Sequence, residues 1–196
     1  ELDRVGEKTG LPGHELADTS RLVAKVDSTA VLDGYALYLH GFIVSEAGDW
    51  TVVQQGMAPA QRKARRYHWH SSATRSFVDA PHTGIDGANE GTIRNLTDRR
   101  AHLARETITT LVSRPDFVLD TLRSLRGAEQ LHLELPDRHD IAPLDVNMRR
   151  LHAALYAAAD RGPEDFASLL RVKGVGARTV ESLALVSEIV HGAPSR

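Results

Sequence analysis

Two hydrophobic periods divide the chain into a sheet-forming part and a helical part. In the first part, apolar and polar residues alternate with the two-residue period of a half-buried strand. The predicted strands are Ala36–Val44, residues 50–55 and Lys63–His70. Residues 45–49 have the length of a hairpin turn between the first two strands. These segments predict a curved antiparallel sheet.

Apolar residues at helical spacing predict helices on both sides of this sheet. One helix covers residues 15–25, and Asp27 or Ser28 is suited to cap a second short helix that reaches residue 31. The helices predicted after the sheet cover residues 93–111, 115–125, 146–159, 164–170 and 177–190. Residues 1–14 and 81–87 are rich in glycine and proline and are expected to be irregular, while residues 131–135 suit a short strand.

The change of period also predicts the domain organisation. We expect an α+β protein with two units, since strand-like alternation gives way to helical spacing near residue 110. Residues 1–110 form an α+β unit with a candidate active face, and residues 111–196 form a helical unit.

The most informative segment joins the last two predicted helices. Two glycines permit a tight turn, and the free backbone N–H groups at the start of the next helix favour a phosphate. Residues 164–190 resemble the helix-hairpin-helix motif, which implies sequence-independent binding to the DNA phosphate backbone. An ordinary corner between two helices would show the same apolar residues on both sides of the turn. The predicted DNA-binding residues are Lys173, Gly174, Val175, Gly176, Arg178 and Thr179.

The overall charge limits how the chain could bind nucleic acid. Its 24 Lys and Arg residues against 26 Asp and Glu residues give a formal net charge of -2, so any DNA contact must be local. The absence of cysteine excludes disulfides, thiolate metal ligands and a cysteine nucleophile. No apolar run is long enough to span a bilayer, so we expect a soluble cytoplasmic protein without a membrane partner.

Lys25 and Asp27 are the first candidate for chemistry on the sheet side. A partly desolvated lysine near a carboxylate could act as a nucleophilic amine with an acid/base partner. An ordinary surface ion pair explains the same spacing.

The predicted second and third strands carry further candidates. Strand alternation sends the amides of Gln54 and Gln55 to opposite faces, where an amide can read a base edge or satisfy a buried backbone group. In the third strand, alternation places Tyr67 and Trp69 on one face and the basic residues on the other, a composition typical of single-strand or flipped-base recognition. The basic residues are Arg66, His68 and His70. The two histidines of this third strand could also bind a metal together with Asp27 or Asp33.

Several strings taken together resemble a known family. Two distinctive strings are Val52-Val53-Gln54-Gln55-Gly56-Met57 and Ala64-Arg65-Arg66-Tyr67-His68-Trp69. Shorter ones lie at residues 25–28, 33–35, 81–85, 135–139 and 183–186. With the hairpin, they resemble the bacterial and archaeal domain-of-unknown-function family 763 over nearly the whole chain. That resemblance implies kinship and no settled activity.

The hairpin alone is similar to that of the helix-hairpin-helix DNA glycosylases. In bifunctional members, the residue before the threonine is a lysine that forms a Schiff base, whereas this chain has Arg178 there. An arginine stays protonated and cannot form the imine. Any catalytic lysine would therefore have to be Lys25 or another on the sheet side.

These patterns favour a DNA repair enzyme that excises a damaged or modified base, without a cofactor. The predicted catalytic residues are Lys25, Asp27 and His68, with Asp27 positioning water or stabilising the sugar cation. The predicted base or substrate contacts are Gln54, Gln55, Arg66, Trp69 and His82. One alternative is a nuclease in which Asp27, Asp33, His68 and His70 hold Mg²⁺ or Mn²⁺. The other is a DNA-binding module without catalysis.

Overall fold

The computed structural model describes residues 1–88, 93–128 and 147–196. It confirms the predicted α+β class, with an antiparallel sheet and a helical C-terminal region. Contacts divide the chain into compact units at Glu1–Ile93 and Arg94–Arg196, whereas the predicted boundary near residue 110 falls within a helix, His102–Val112. The predicted strand at residues 131–135 lies outside the described residues. In the described part of the chain, no helix is long and apolar enough to cross a membrane.

The first unit combines two helices with a four-stranded antiparallel sheet. Its helices and strands are α1 (Leu2–Thr9), α2 (Gly13–Thr29), β1 (Val31–Leu32), β2 (Ala36–Val44), β3 (Trp50–Ala58), β4 (Lys63–His70) and β5 (Gly84–Asp86). The order in the sheet is β2-β3-β4-β5, with a register shift in β2 between Leu37 and Leu39. The three predicted strands are confirmed, and β5 is an addition within the glycine-rich segment that we expected to be irregular.

The N-terminal segment is helical because its glycines allow two helices to meet closely. A Cβ atom on Gly6 would lie 2.7 Å from the Cα atom of Gly13. The expected irregular lead-in was therefore wrong, since these glycines permit α1 to pack on α2 instead of breaking the chain.

Helix α2 runs without interruption through residue 29, so the predicted second short helix does not form separately. Its apolar side chains Leu22, Val23 and Val26 are at most 1 % exposed. The face of the sheet that contacts α2, here called the inner face, carries Gln54, Tyr67 and Trp69. Helix α2 and the inner face together form the core of this unit, and the candidate site lies between them.

The second unit is helical around an aliphatic core. Its described elements are the strand β6 (Arg94–Asn95) and the helices α3 (His102–Val112), α4 (Pro115–Ala128), α5 (Met148–Arg161), α6 (Phe166–Arg171) and α7 (Ala177–His191). Ile108, Leu155, Leu169 and Leu183 are fully buried, because helical spacing gives each helix one continuous apolar face.

Candidate functional site

Asp27 is the centre of a buried polar cluster between α2 and the sheet. Its side chain is fully buried, and its Oδ2 atom accepts hydrogen bonds from the Trp69 indole, at 2.9 Å, and from the Gln54 amide. Its Oδ1 atom lies 2.5 Å from Nε2 of His82. Three N–H donors thus compensate the carboxylate for its lost hydration.

Helix and strand geometry bring these four side chains together. Asp27 lies one helical turn after Val23, whose carbonyl oxygen also accepts a hydrogen bond from Gln54, at 3.3 Å. On the inner face, Val52 of β3 is the direct partner of Trp69, so Gln54 and Trp69 are diagonal neighbours. His82 reaches Asp27 from the segment before β5. The site therefore depends on one helix, two strands and one loop.

His82 is held by Asp27 through one of its two ring nitrogens. Because a carboxylate only accepts, Nε2 of His82 carries hydrogen toward Asp27, and in the neutral ring Nδ1 keeps a lone pair. The ring packs edge-on against Trp69 with centroids 4.6 Å apart, and the side chain is 7 % exposed. Asp27 therefore fixes both the tautomer and the orientation of His82.

Asp33 is the centre of a second buried cluster in the same unit. Its Oδ2 atom accepts hydrogen bonds from Arg65, at 3.0 Å, and from the Tyr67 hydroxyl, at 2.6 Å, while its Oδ1 atom accepts from the Tyr35 backbone at 3.1 Å. Burial, and then the hydrogen bond to Asp33, raise the pKa of Tyr67, so its phenol remains a donor. Gly56 leaves room for this arrangement, because a Cβ atom there would lie 2.8 Å from Cβ of Tyr35.

The structure brings some of the predicted site residues together and separates others. Asp27, Gln54, Trp69 and His82 form one cluster. Gln55, Arg66 and His68 lie on the opposite face of the sheet, since Gln55 pairs with Arg66 and His68 alternates with Tyr67 and Trp69.

Lys25 is likewise not among the contacts of Asp27. Burial alone lowers the pKa of Lys25, without a contribution from the carboxylate. Two residues on a helix differ by about 200° in direction, which separates these side chains. The ion pair considered from the sequence is therefore not formed.

The four predicted metal ligands do not converge. Among the residues that the structure describes, no group of three His, Cys, Asp or Glu side chains could hold a metal ion. Asp33 instead binds Arg65, and His70 contacts Ser72 through Nδ1 at 2.8 Å.

Of the predicted hairpin residues, Lys173, Gly174, Val175 and Gly176 lie between α6 and α7, and Arg178 and Thr179 lie in the first turn of α7. Gly174 has φ +96°, a left-handed conformation that favours glycine, whereas Gly176 has an extended conformation with φ -129°. Val175 is fully buried and anchors the turn, and no side chain caps the start of α7. The predicted close turn thus depends on the conformational freedom of Gly174, not of Gly176.

A cavity of about 450 Å³, here called the hairpin pocket, lies at the start of two helices. It is lined by Asn147, Arg150, Leu151, Gly174, Gly176, Ala177, Arg178 and Thr179. Asn147 caps α5, and Gly176 is the N-cap residue of α7. Two positive helix ends and two arginines therefore converge on one pocket.

Sequence reasoning missed several residues of these sites. A signal existed for Asn147, which is a favoured N-cap residue directly before the helix at Met148. Another existed for His40 of β2, whose Nδ1 atom lies 2.8 Å from Oε1 of Gln54. His40 is the direct partner of Gln54 in the sheet, and strand alternation places it on the same face. The partnership of Asp33 with Arg65 had no local signal, because 32 positions separate the two residues.

Comparison with known proteins places the whole chain in one family. No curated protein and no solved structure matches it. A family model described as "Protein of unknown function (DUF763)" matches residues 1–196. The resemblance of the sheet and C-terminal strings to family 763 is thereby confirmed, and the chain belongs to the DUF763 family.

Proposed function

We propose that this protein binds the phosphate backbone of duplex DNA at the hairpin pocket, in the manner of a helix-hairpin-helix motif. One observation carries the proposal: α5 and α7 begin at the same pocket, beside Arg150 and Arg178. A helix start offers backbone N–H donors and the positive end of the helix dipole, which together favour a phosphate.

Gly176 supports the approach of a bulky phosphate. A Cβ atom at this position would meet no atom within 4 Å, so the space before α7 is open. Arg178 is exposed and lies 3.5 Å from Glu181, a distance that allows its guanidinium to turn toward an anion. Contacts of this type carry no base information, so binding is independent of sequence.

Replacing Gly176 with valine should weaken DNA binding by about tenfold or more while leaving the fold intact. The backbone at Gly176 is extended and the surrounding space is open, so valine fits, but its methyl groups would fill the phosphate approach. The measurement is fluorescence anisotropy with a labelled duplex at two or more salt concentrations. In the parent, affinity should fall as salt rises, and Arg178→Ala should lower the salt slope by about one.

Gly84→Val is the matched control for this measurement. Gly84 also has open space around its Cβ position and no left-handed backbone, but it belongs to β5 in the other unit. Gly84→Val should bind DNA as the parent does. If folded Gly176→Val binds equally well, the hairpin has only a structural role.

The second candidate function is excision of a damaged or modified base, and the pairing of His82 with Asp27 favours it. In this reaction the oxygen of water bonds to the sugar C1′ atom, the glycosidic bond breaks, and the proton removed from the water passes through His82 to the leaving base. His82 would accept the proton of the attacking water through Nδ1. Asp27 has donors on both oxygens, so we assign it the role of positioning His82 rather than of touching water.

His82→Gln should reduce base excision by about 100-fold or more, because general base catalysis contributes at least that much. The measurement is the formation of abasic sites in a panel of duplexes that each carry one modified base. His68→Gln is the control, since His68 lies on the other face of the sheet and should be dispensable. Equal activity of His82→Gln and the parent would exclude this role.

The same panel distinguishes the remaining alternatives. Trapping of an imine by borohydride, lost in Lys25→Ala, would identify a lyase with a lysine nucleophile. Strand cleavage that EDTA abolishes would identify the metal-dependent nuclease. DNA binding without processing would leave the non-catalytic module.

A further inference from the structure

The polar cluster at Asp27 continues through Gln54 to the protein surface. Oε1 of Gln54 lies 2.8 Å from Nδ1 of His40, and Nε2 of His40 lies 2.8 Å from Oγ of Ser20. Gln54 is fully buried, Ser20 is half-buried and His40 is exposed. Solvent and small molecules can therefore reach the end of the chain formed by Ser20 and His40.

The direction of each hydrogen bond follows from its partners. The side-chain amide of Gln54 has one possible orientation, because the atom that faces the Asp27 carboxylate and the Val23 carbonyl must be a donor. That atom is therefore the nitrogen, Nε2. Oε1 of Gln54 is then the acceptor facing His40, and Nδ1 of His40 must donate to it. In the neutral ring, Nε2 of His40 has the lone pair, so the Ser20 hydroxyl donates to it.

This order of contacts matches the roles found in nucleophilic hydrolases. A hydroxyl donates to a histidine, and the second nitrogen of that histidine donates to a fixed acceptor. The acceptor here is the carbonyl of Gln54, whose amide is held by the charged Asp27.

We propose that Ser20 is a nucleophile toward activated acyl groups and that His40 is its general base. Oγ of Ser20 forms a bond to the acyl carbon, and the bond between that carbon and the leaving oxygen breaks. The hydroxyl proton passes to Nε2 of His40 and then to the leaving oxygen, which yields an acylated Ser20. The substrate class is an ester with a good leaving group, and the proposal is independent of DNA binding.

Treatment with p-nitrophenyl acetate at pH 8 tests this proposal on the full chain. Peptide mapping by mass spectrometry should find acetyl on Ser20 at a rate about 100-fold above that of Ser28, because general base catalysis contributes at least this factor. Ser28 is the internal control, since it lies on the same helix and its hydroxyl donates to a backbone carbonyl, that of Lys25, at 3.2 Å. His40→Ala should remove the excess rate, and circular dichroism should confirm that this exposed change leaves the fold intact.

Two results would overturn the assignment. Acetylation of Ser20 no faster than that of Ser28 would show that the hydroxyl is not activated. An unchanged Ser20 rate in folded His40→Ala would show that His40 is not its base.

Discussion

Asp27→Ala is expected to lower the free energy of unfolding by about 3–5 kcal/mol. The change leaves the buried N–H groups of Gln54, Trp69 and His82 without their acceptor. Each buried donor that loses its partner costs about 1–3 kcal/mol, and the three costs are not fully additive because the groups share one site. Urea unfolding followed by tryptophan fluorescence measures the difference, with the midpoint falling and the slope unchanged.

Asp18→Ala is the matched control on the same helix. Asp18 is exposed and pairs with Arg21 at 3.2 Å, so its removal should change the stability by about 0.5 kcal/mol or less. Equal stability of Asp27→Ala and Asp18→Ala would show that the Asp27 cluster does not stabilise the fold.

Asp33→Ala should destabilise the first unit by a similar amount, about 3–5 kcal/mol, because it leaves the buried Arg65 guanidinium without its carboxylate. The side chain of Arg65 is 3 % exposed and that of Asp33 is 0 % exposed, so water cannot replace the lost carboxylate without opening the site. The same change should lower the pKa of Tyr67, since an acceptor of its phenol and a neighbouring negative charge both disappear. Chemical denaturation and ultraviolet titration of tyrosine measure the two effects.

A double-mutant cycle separates the ion pair from simple loss of packing. Asp33→Ala combined with Arg65→Met should cost less than the sum of the two single changes, because the double variant buries no lone charge. Asp120→Ala provides the exposed comparison, since Asp120 pairs with Arg123 at 2.7 Å on the surface of α4 and should contribute about 1 kcal/mol or less. Strict additivity in the cycle would contradict a coupled buried pair.

The sequence predicted the elements of the fold where one period is sustained. β2 and β4 were found with their observed bounds, and alternation correctly placed Tyr67 and Trp69 on the buried face. Such patterns can be recognised from neighbouring residues of one strand, because successive side chains alternate between the core and the outer face. The turn between α6 and α7 was located for a similar reason, since two helical patterns are interrupted there by glycines.

The partners in the candidate sites could not be predicted, because they depend on long-range contacts. Local preference suggested Asp27 as a helix cap, but it lies inside α2, where donors from two strands and a loop compensate its charge. His82 is 55 positions away from Asp27, and nothing near either residue indicates the pairing. Likewise, the two hairpin glycines are equivalent as letters, and only the backbone identifies Gly174 as the one with positive φ.

The polar contacts of α2 also determine how the helix is aligned on the sheet. A helix held by apolar side chains alone can roll, or slide by a turn of about 5.4 Å, between packings of similar energy. Here Ser20, the Val23 carbonyl and Asp27 each bind a directional partner on β2, β3 or β4. A shift of one turn would break all of these hydrogen bonds at once, so the native alignment is separated from its neighbours by a large energy gap. Asp27→Ala should therefore lower the energetic cost of such a shift as well as the stability of the first unit, and allow several alignments of α2.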